Sequence, residues 1–265
     1  MLAGVDSEFF KLARPRVFAH RGASGDYPEN TLAAFRAAVE GGAPYIELDV
    51  QMTRDGAIVV LHDDDLSRVA DRDGVVAEMK LAKVQAADAG YNFSLDGRIF
   101  PFRAQGVRVP TLDEVLNAFP QQCFIIEIKQ TTPSLVIPML ELLERSGMTR
   151  RVLVASEHQA PLDEVRRLAP AIPTNFSTGE VGAFFKSIAP NAPSYAPVGA
   201  ALQIPPEHLS WKLVTPESVA AAHRMAVEVH VWTVNEQAEM RQMLALGVDG
   251  IITDYPGRLL ELLHA

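Results

Sequence analysis

Three observations predict an α/β architecture of the (β/α)8 TIM-barrel type. Short apolar runs alternate with amphipathic helical stretches along almost the whole chain. The 265 residues suit about eight strand–helix units, since such barrels typically take ~250. Ionisable residues stand at the C-terminal ends of several runs, the end at which barrels carry their sites. An open, doubly wound sheet is the rival built from the same alternation.

Taken in order, residues 1–15 read as a leading arm or short helix ending at Pro15. Val17-Phe18-Ala19 is a strand with His20 at its end, and turn formers fill 22–28. A helix follows through Val39, capped by Asn30 or Thr31, with Leu32, Phe35, Ala38 and Val39 on one face, and Gly41-Gly42 stops it. Residues 45–50 form the next strand. Arg54-Asp55-Gly56 is a tight turn, and residues 58–61 form a strand ending at His62. These two runs count as one unit of the barrel.

Residues 63–110 break the rhythm and read as an ordered insertion after the second strand, holding one short helix. After Pro110 the alternation resumes. Helices are expected at 111–119, 134–146, 161–168, 180–188, 216–225, 236–246 and 257–263, with strands at 123–129, 151–155, 172–176, 200–204, 228–234 and 250–253. No Gly/Ser/Pro linker divides the chain, so residues 1–265 are expected to form a single domain.

The bulk composition excludes several classes of function. Hydrophobic residues make up 48% of the chain and the formal net charge is −9, with no lysine/arginine block, so no basic nucleic-acid footprint exists. No run of ~18 apolar residues is present, and residues 1–16 lack the apolar core of a secretory signal. The expected location is cytoplasmic. The single cysteine, Cys123, excludes an internal disulfide and a cysteine zinc site, and its apolar run makes it a packing residue. Neither a Gly-x-Ser-x-Gly nucleophile elbow nor a dinucleotide-binding Gly-x-Gly-x-x-Gly after a strand occurs. Asp63-Asp64-Asp65 lacks the glycine and distal glutamate of an EF-hand loop.

The remaining candidates concern phosphate chemistry. Glu47 and Asp49 lie two apart on a strand and so share a face. Either that face is solvated while Ile46, Leu48 and Val50 meet the core, or it points into a barrel, where two carboxylates need a cation such as Mg²⁺ or Ca²⁺. Glu127 lies in a run too apolar for an exposed edge, and Lys129 shares its face. That pair reads either as a structural ion pair or as a third metal ligand beside a phosphate-binding cation. His20 and His62 each end a strand, and with Arg21 they supply two proton carriers and a positive charge. Phosphodiester cleavage requires all of these. Among lesser candidates, Trp232 ends a strand and Asn235 reads as a helix cap. Asp249 and Asp254 read as turn or cap residues, and Glu29 equally as a helix-start acid or as a residue supporting the site from behind.

The sequence resembles the glycerophosphodiester phosphodiesterase family. The matching text is His20-Arg21-Gly22, residues 28–31 (Pro-Glu-Asn-Thr), Phe35, residues 46–50 (Ile-Glu-Leu-Asp-Val), Thr53 with Asp55-Gly56, and residues 59–63. It continues through Leu66 and Arg68, residues 109–114, Glu127-Ile128-Lys129, residues 232–235 (Trp-Thr-Val-Asn) and residues 247–256. The resemblance implies a barrel that hydrolyses small-molecule glycerophosphodiesters to sn-glycerol 3-phosphate and an alcohol. It implies His20 and His62 as the acid/base pair, and Glu47, Asp49 and Glu127 as ligands of one divalent cation. Arg21 and Lys129 then contact the phosphate, and Trp232 lines the glycerol side. Val69-Ala70 and Pro44 depart from the family's text at positions away from these residues. Two other readings keep the fold. One is a lysophospholipase D or cyclic-phosphate-forming lyase, with Tyr91, Phe93, Phe100 and Phe102 of the insertion walling an acyl pocket. The other is a non-catalytic barrel that binds a polyol phosphate.

Overall fold

Parallel strands curl until their two outer edges meet across one irregular segment. The structure is a computed structural model that describes residues 7–190, 192 and 194–264. In chain order the elements are β1 (Arg16–His20), α1 (Leu32–Glu40), β2 (Tyr45–Met52), β3 (Ile58–Val60), α2 (Leu81–Val84), α3 (Leu112–Ala118), β4 (Cys123–Ile128), α4 (Val136–Arg145), β5 (Val152–Ala155) and α5 (Gln159–Leu168). There follow α6 (Thr178–Ser187), β6 (Ala201–Ile204), β7 (Glu207–His208), β8 (Trp211–Lys212), α7 (Pro216–Arg224), β9 (Glu228–Val231), α8 (Gln237–Ala245), β10 (Gly250–Thr253) and α9 (Pro256–His264).

The parallel order is β5-β4-β2-β1-β10-β9-β6, with β3 folded back antiparallel on β2. Single-residue parallel bridges, Val154 to Thr174 and Asn175 to Ala201, join the outer strands. The eighth stave expected at 172–176 is therefore not a regular strand. Pro173 carries no N–H, so this stave contributes the Pro173 carbonyl to Val154 N–H at 2.9 Å, and its ladder is confined to its neighbours. The sheet is a (β/α)8 barrel, not the open rival.

Strand alternation divides the side chains between two cores. Ile46, Leu48 and Val50 of β2 pack outward with Phe124, Ile126 and Ile128 of β4 against Phe35, Val115 and Met139 of the surrounding helices. The opposite face holds Phe18, Tyr45, Cys123, Ile125, Leu153 and Ile252, which fill the barrel interior. Glu47 and Asp49 alternate with the outward set, so they point inward, and neither reaches solvent freely. The reading in which that face is a solvated one does not hold.

Local sequence chemistry sets the helix starts. The Thr31 hydroxyl accepts from Ala34 N–H, and Thr111 and Ser177 form capping boxes with Glu114 and Glu180. Asn235 caps nothing, because α8 starts after Glu236. The leading segment forms only a short 3-10 turn, Glu8–Phe10, and the expectation for residues 1–6 lies outside the described residues. The segment between β3 and α3 packs a small core of its own around Leu66, Val76 and Val84. Phe93 and Phe102 meet edge to face, and Arg103 lies over the rings of Tyr91 and Phe100. A two-stranded hairpin, β7–β8, has no counterpart in the sequence reading.

The bottom of the barrel is closed by a buried ion pair. Arg16, whose side chain is 1% exposed, holds both carboxylate oxygens of Glu228 at 2.9 and 2.8 Å. It also donates to the Tyr45 hydroxyl and to the carbonyls of Leu12 and Phe10. Burial pushes the Glu228 carboxyl up, but Arg16 and His230 outweigh it and hold it at about 2. A carboxyl depressed in the folded state stabilises above its unfolded pKa, and this is lost as pH falls toward the folded value. Stability should therefore decline as pH drops from ~4.5 toward 2. Glu228→Gln should cost about 3 kcal/mol at pH 7 and flatten that decline. Urea denaturation of both proteins at pH 7 and pH 3.5 measures this, and parallel losses in the two proteins would contradict it.

Candidate active site

Three acids meet inside the C-terminal mouth of the barrel. The β2–β4 register sets Asp49 beside Glu127, and the β1–β2 register sets His20 beside Glu47. One oxygen from each of Glu47, Asp49 and Glu127 lies within 4.8 Å of the other two. Burial, and then the neighbouring Asp49 charge, push the Glu47 carboxyl up to about 7. The same causes raise Glu127. Burial also acts on Asp49, but Arg21 and Lys129 outweigh it and hold that carboxyl below its usual range.

The compensating cations come from the ends of the same strands. Lys129 Nζ lies 2.7 Å from Glu127 and 3.4 Å from Asp49. Arg21 Nε lies 3.1 Å from Asp49, and its Nη1 donates to Glu29 at 3.0 Å. Backbone geometry makes this possible. Arg21 and Asn30 both adopt left-handed conformations, at φ 55° and 56°. The Arg21 N–H reaches Glu47 Oε2 at 2.9 Å, and the Asn30 amide reaches Asp49 Oδ2 at 2.9 Å. Gly22 at φ 88° completes the turn, and a Cβ there would sit 2.6 Å from the Ala34 backbone.

Among the described residues, Asp49 Oδ1 and Arg21 Nε of this cluster are buried without a hydrogen bond, each facing only an ion-pair partner, Lys129 Nζ at 3.4 Å and Asp49 Oδ2 at 3.1 Å. A buried acceptor left in this state is costly unless a ligand serves it. The all-oxygen set of Glu47, Asp49 and Glu127 fits a hard divalent cation.

The two histidines share one arrangement. His20 Nδ1 donates to Asp254 Oδ1 at 2.6 Å, and His62 Nδ1 donates to Asp63 Oδ1 at 2.6 Å. A carboxylate only accepts, so each Nδ1 carries the hydrogen and Nε2 is left as the position for proton exchange. Burial disfavours the charged His20 ring, but the Asp254 bond and the Glu47 charge outweigh it and raise its pKa. Asp254 is fixed in turn by Ser24 at 3.0 Å and by the Asn235 amide at 2.6 Å. Asp63 is held by Arg68 at 2.6 Å. Arg68 also grips Glu29, and Glu29 joins that network to Arg21.

A cavity of about 860 Å³ opens here, lined by His20, Arg21, Glu47, His62, Glu127, Lys129 and Trp232. Asp49 lies beneath them, 1% exposed. Trp232, 38% exposed, stands at the mouth, joined to Thr233 by a cis peptide bond. Tyr91, Phe93, Phe100 and Phe102 do not line this cavity. They are taken up by contacts among themselves and with Tyr27 and Arg103.

Two residues have duties that the sequence reading assigned elsewhere: Asp254 holds His20, and Asn235 holds Asp254. Glu29, which the sequence left between a helix-start acid and a support for the site, ties Arg21 to Arg68. The signal available was position, since Asp254 follows β10, which neighbours β1 once the barrel closes. Asp249, in contrast, is structural: it accepts from Val229 N–H and pairs with Arg14 and His223.

An anionic ester in this mouth meets a guanidinium, an ammonium and two imidazoles that can remove one proton and deliver another. Fold and site together define a barrel phosphodiesterase. The model of the Glycerophosphoryl diester phosphodiesterase family matches residues 20–258, and the chain belongs to that family as an enzyme of this kind. A glycerophosphodiester phosphodiesterase of Caldanaerobacter subterraneus subsp. tengcongensis is 32% identical over 255 residues, covering 94% of this chain and 97% of its own. A crystallised Silicibacter pomeroyi protein carrying the same family description is 32% identical, with TM-score 0.78 and coverage of 99% and 95%. An Oleispira antarctica phosphodiesterase, solved in complex with the product sn-glycerol-3-phosphate, is 26% identical, with TM-score 0.77 and coverage of 95% and 98%.

The Asp254 bond should govern the orientation of His20 rather than the binding of substrate. Asp254→Asn should lower kcat roughly 100-fold, by analogy with removal of an imidazole-orienting carboxylate, and leave KM within about twofold. Steady-state kinetics and a melting curve check this. An unchanged kcat, or a loss explained by unfolding, would contradict it.

Proposed function

We propose that the protein hydrolyses glycerophosphodiesters to sn-glycerol 3-phosphate and an alcohol by acid/base catalysis shared between His20 and His62. One observation carries the reading. Two imidazoles, each held at Nδ1 by a carboxylate, line the same cavity as the buried carboxylate cluster. The product bound in the Oleispira antarctica structure is consistent with a glycerol phosphate in a mouth of this fold.

In this reading Arg21 and Lys129 bind the phosphate oxygens, and Trp232 lines the glycerol side. One imidazole takes a proton from water as the water oxygen bonds to phosphorus. The other gives a proton to the alcohol oxygen as the phosphorus–oxygen bond breaks. Glu47, Asp49 and Glu127 would hold a divalent cation, Mg²⁺ or Ca²⁺, which when bound supplies positive charge for the phosphoryl oxygens. The acids otherwise repel one another, and burial makes that repulsion expensive.

Turnover of glycerophosphoethanolamine, read as sn-glycerol 3-phosphate by a coupled dehydrogenase, tests the reaction. His20→Ala and His62→Ala should each lose about 10³-fold in kcat. Activity should vanish after chelation with EDTA and return with Mg²⁺ or Ca²⁺. Undiminished turnover in either variant, or after chelation, would contradict the mechanism. Phosphorus NMR should show sn-glycerol 3-phosphate without an accumulating cyclic phosphate. A cyclic product would instead make the substrate's own hydroxyl the nucleophile.

A further inference from the structure

One carboxylate at the barrel mouth has no partner. Glu157 follows β5, whose Ala155 lies in register with Glu127 of β4. Two residues beyond that pair, Lys129 and Glu157 continue the same inward-facing rows, and both line the cavity. The register offers them to each other, yet Lys129 turns to Glu127 and Asp49. Among the described residues, no hydrogen bond or ion pair engages the Glu157 carboxylate. We propose that Glu157 binds the cationic end of an amino alcohol esterified to the phosphate, so that the preferred glycerophosphodiesters carry an alkylammonium head group. This deepens the function proposed above and rests on it.

Electrostatics separates this duty from that of an idle surface charge. An acid in this mouth opposes an anionic ester, and its charge adds to the causes that raise Glu127. A diester with a neutral alcohol is therefore held less well because Glu157 is there. A diester whose alcohol carries a positive charge gains instead, since its phosphate meets Arg21 and Lys129 while its ammonium meets Glu157. The other ionisable groups on this side of the cavity are His208 and Lys212 of the hairpin after β6. Among the described residues neither forms an ion pair with Glu157, so the acid is not neutralised from within the protein.

The backbone that carries Glu157 is anchored on both sides. The Ser156 hydroxyl donates to the Ile128 carbonyl at 2.8 Å and accepts from His158 N–H at 3.2 Å. Ser156 N–H donates to Asn175 Oδ1 at 3.0 Å, and Thr178 N–H donates to the Glu157 carbonyl at 3.0 Å. A charge on so fixed a support is a positioned one. Its place in the barrel sets which end of the substrate it meets. The staves run β1, β2, β4, β5, the irregular one at 172–176, β6, β9 and β10. Trp232 after β9 thus stands three staves from Glu157. With glycerol toward Trp232 and phosphate between Arg21 and Lys129, the alcohol points to β5. Phe185 of α6, the helix bonded to Glu157 through Thr178, brings an aromatic ring to the same cavity. A quaternary ammonium suits such a ring, and a primary one suits the carboxylate alone.

The experiment compares kcat/KM for glycerophosphocholine, glycerophosphoethanolamine and glycerophospho-3,3-dimethylbutanol, the uncharged carbon isostere of the choline ester. At least one cationic diester should exceed the isostere about tenfold or more, and the one that leads shows whether Phe185 shares the cation. Glu157→Gln should lower kcat/KM for the preferred cationic diester about tenfold. The same variant should raise it about twofold for the isostere, because the acid no longer opposes the phosphate. Glu157→Lys should favour the isostere over both cations. A folding defect lowers all three substrates together, so the opposed signs separate recognition from structure. The preference of the unmodified enzyme should narrow as salt is raised, since screening acts on a partly exposed ion pair. A preference that is absent or that favours the isostere would overturn the subsite and leave the parent reaction standing. A Glu157→Gln effect of one sign on all three substrates would do the same. Turnover of none of the diesters would overturn the reaction and the subsite together.

Discussion

Three carboxylates held within 4.8 Å inside a protein constitute the constraint around which this barrel mouth is built. Like charges at that separation, withdrawn from water, cannot all ionise without compensation. Glu47 and Glu127 respond by rising in pKa, while Asp49 stays low because Arg21 and Lys129 lie against it. Each compensating group needs its own support. Arg21 reaches its position through a left-handed backbone turn and is steadied by Glu29, and Lys129 sits two residues beyond Glu127 on the same face. The amount of cationic machinery around these acids follows from the number of acids.

The histidines are built on a second tier. Both rings are oriented through Nδ1 by carboxylates outside the cluster, and each of those carboxylates is pinned by further partners. For Asp254 these are Ser24 and Asn235, and for Asp63 the partner is Arg68. Side chains with both ends committed lose little freedom when substrate arrives, the condition under which positioning contributes to rate. Glu29 links the tiers by bonding to Arg21 and to Arg68. The far end of the barrel is fixed separately by Arg16 and Glu228, so the strand ends that carry the site rest on a rigid floor.

Most of the architecture was legible in the alternation of apolar runs, because a strand buried on both faces and an amphipathic helix leave different periodicities. The stave at 172–176 was misread as a strand because its apolar content matches one, while Pro170 and Pro173 deny it a ladder. The hairpin at 207–212 escaped because four paired residues with a Leu-Ser turn carry no turn signature. Within the candidate site, the residues that end strands were visible as charges in apolar text. Asp254 and Asn235 were not, because their partners lie across the closed barrel and local chemistry explains an acid or amide at a helix start equally well. Glu29 stayed open between helix-start acid and support for the site, because its partners lie beyond loops. The aromatics of the insertion, which the alternative reading offered as the wall of an acyl pocket, do not line the cavity and meet one another and Arg103 instead.

The central proposal is that Glu47, Asp49 and Glu127 share one divalent cation. Diffraction from Mn²⁺-soaked crystals, recorded at the manganese absorption edge, reads this directly and without turnover. The account predicts a single anomalous peak in contact with oxygens of Glu47, Asp49 and Glu127, at about 2.0–2.6 Å from each. No peak there, or a peak held by other residues while these three remain joined only to Arg21 and Lys129, would contradict it.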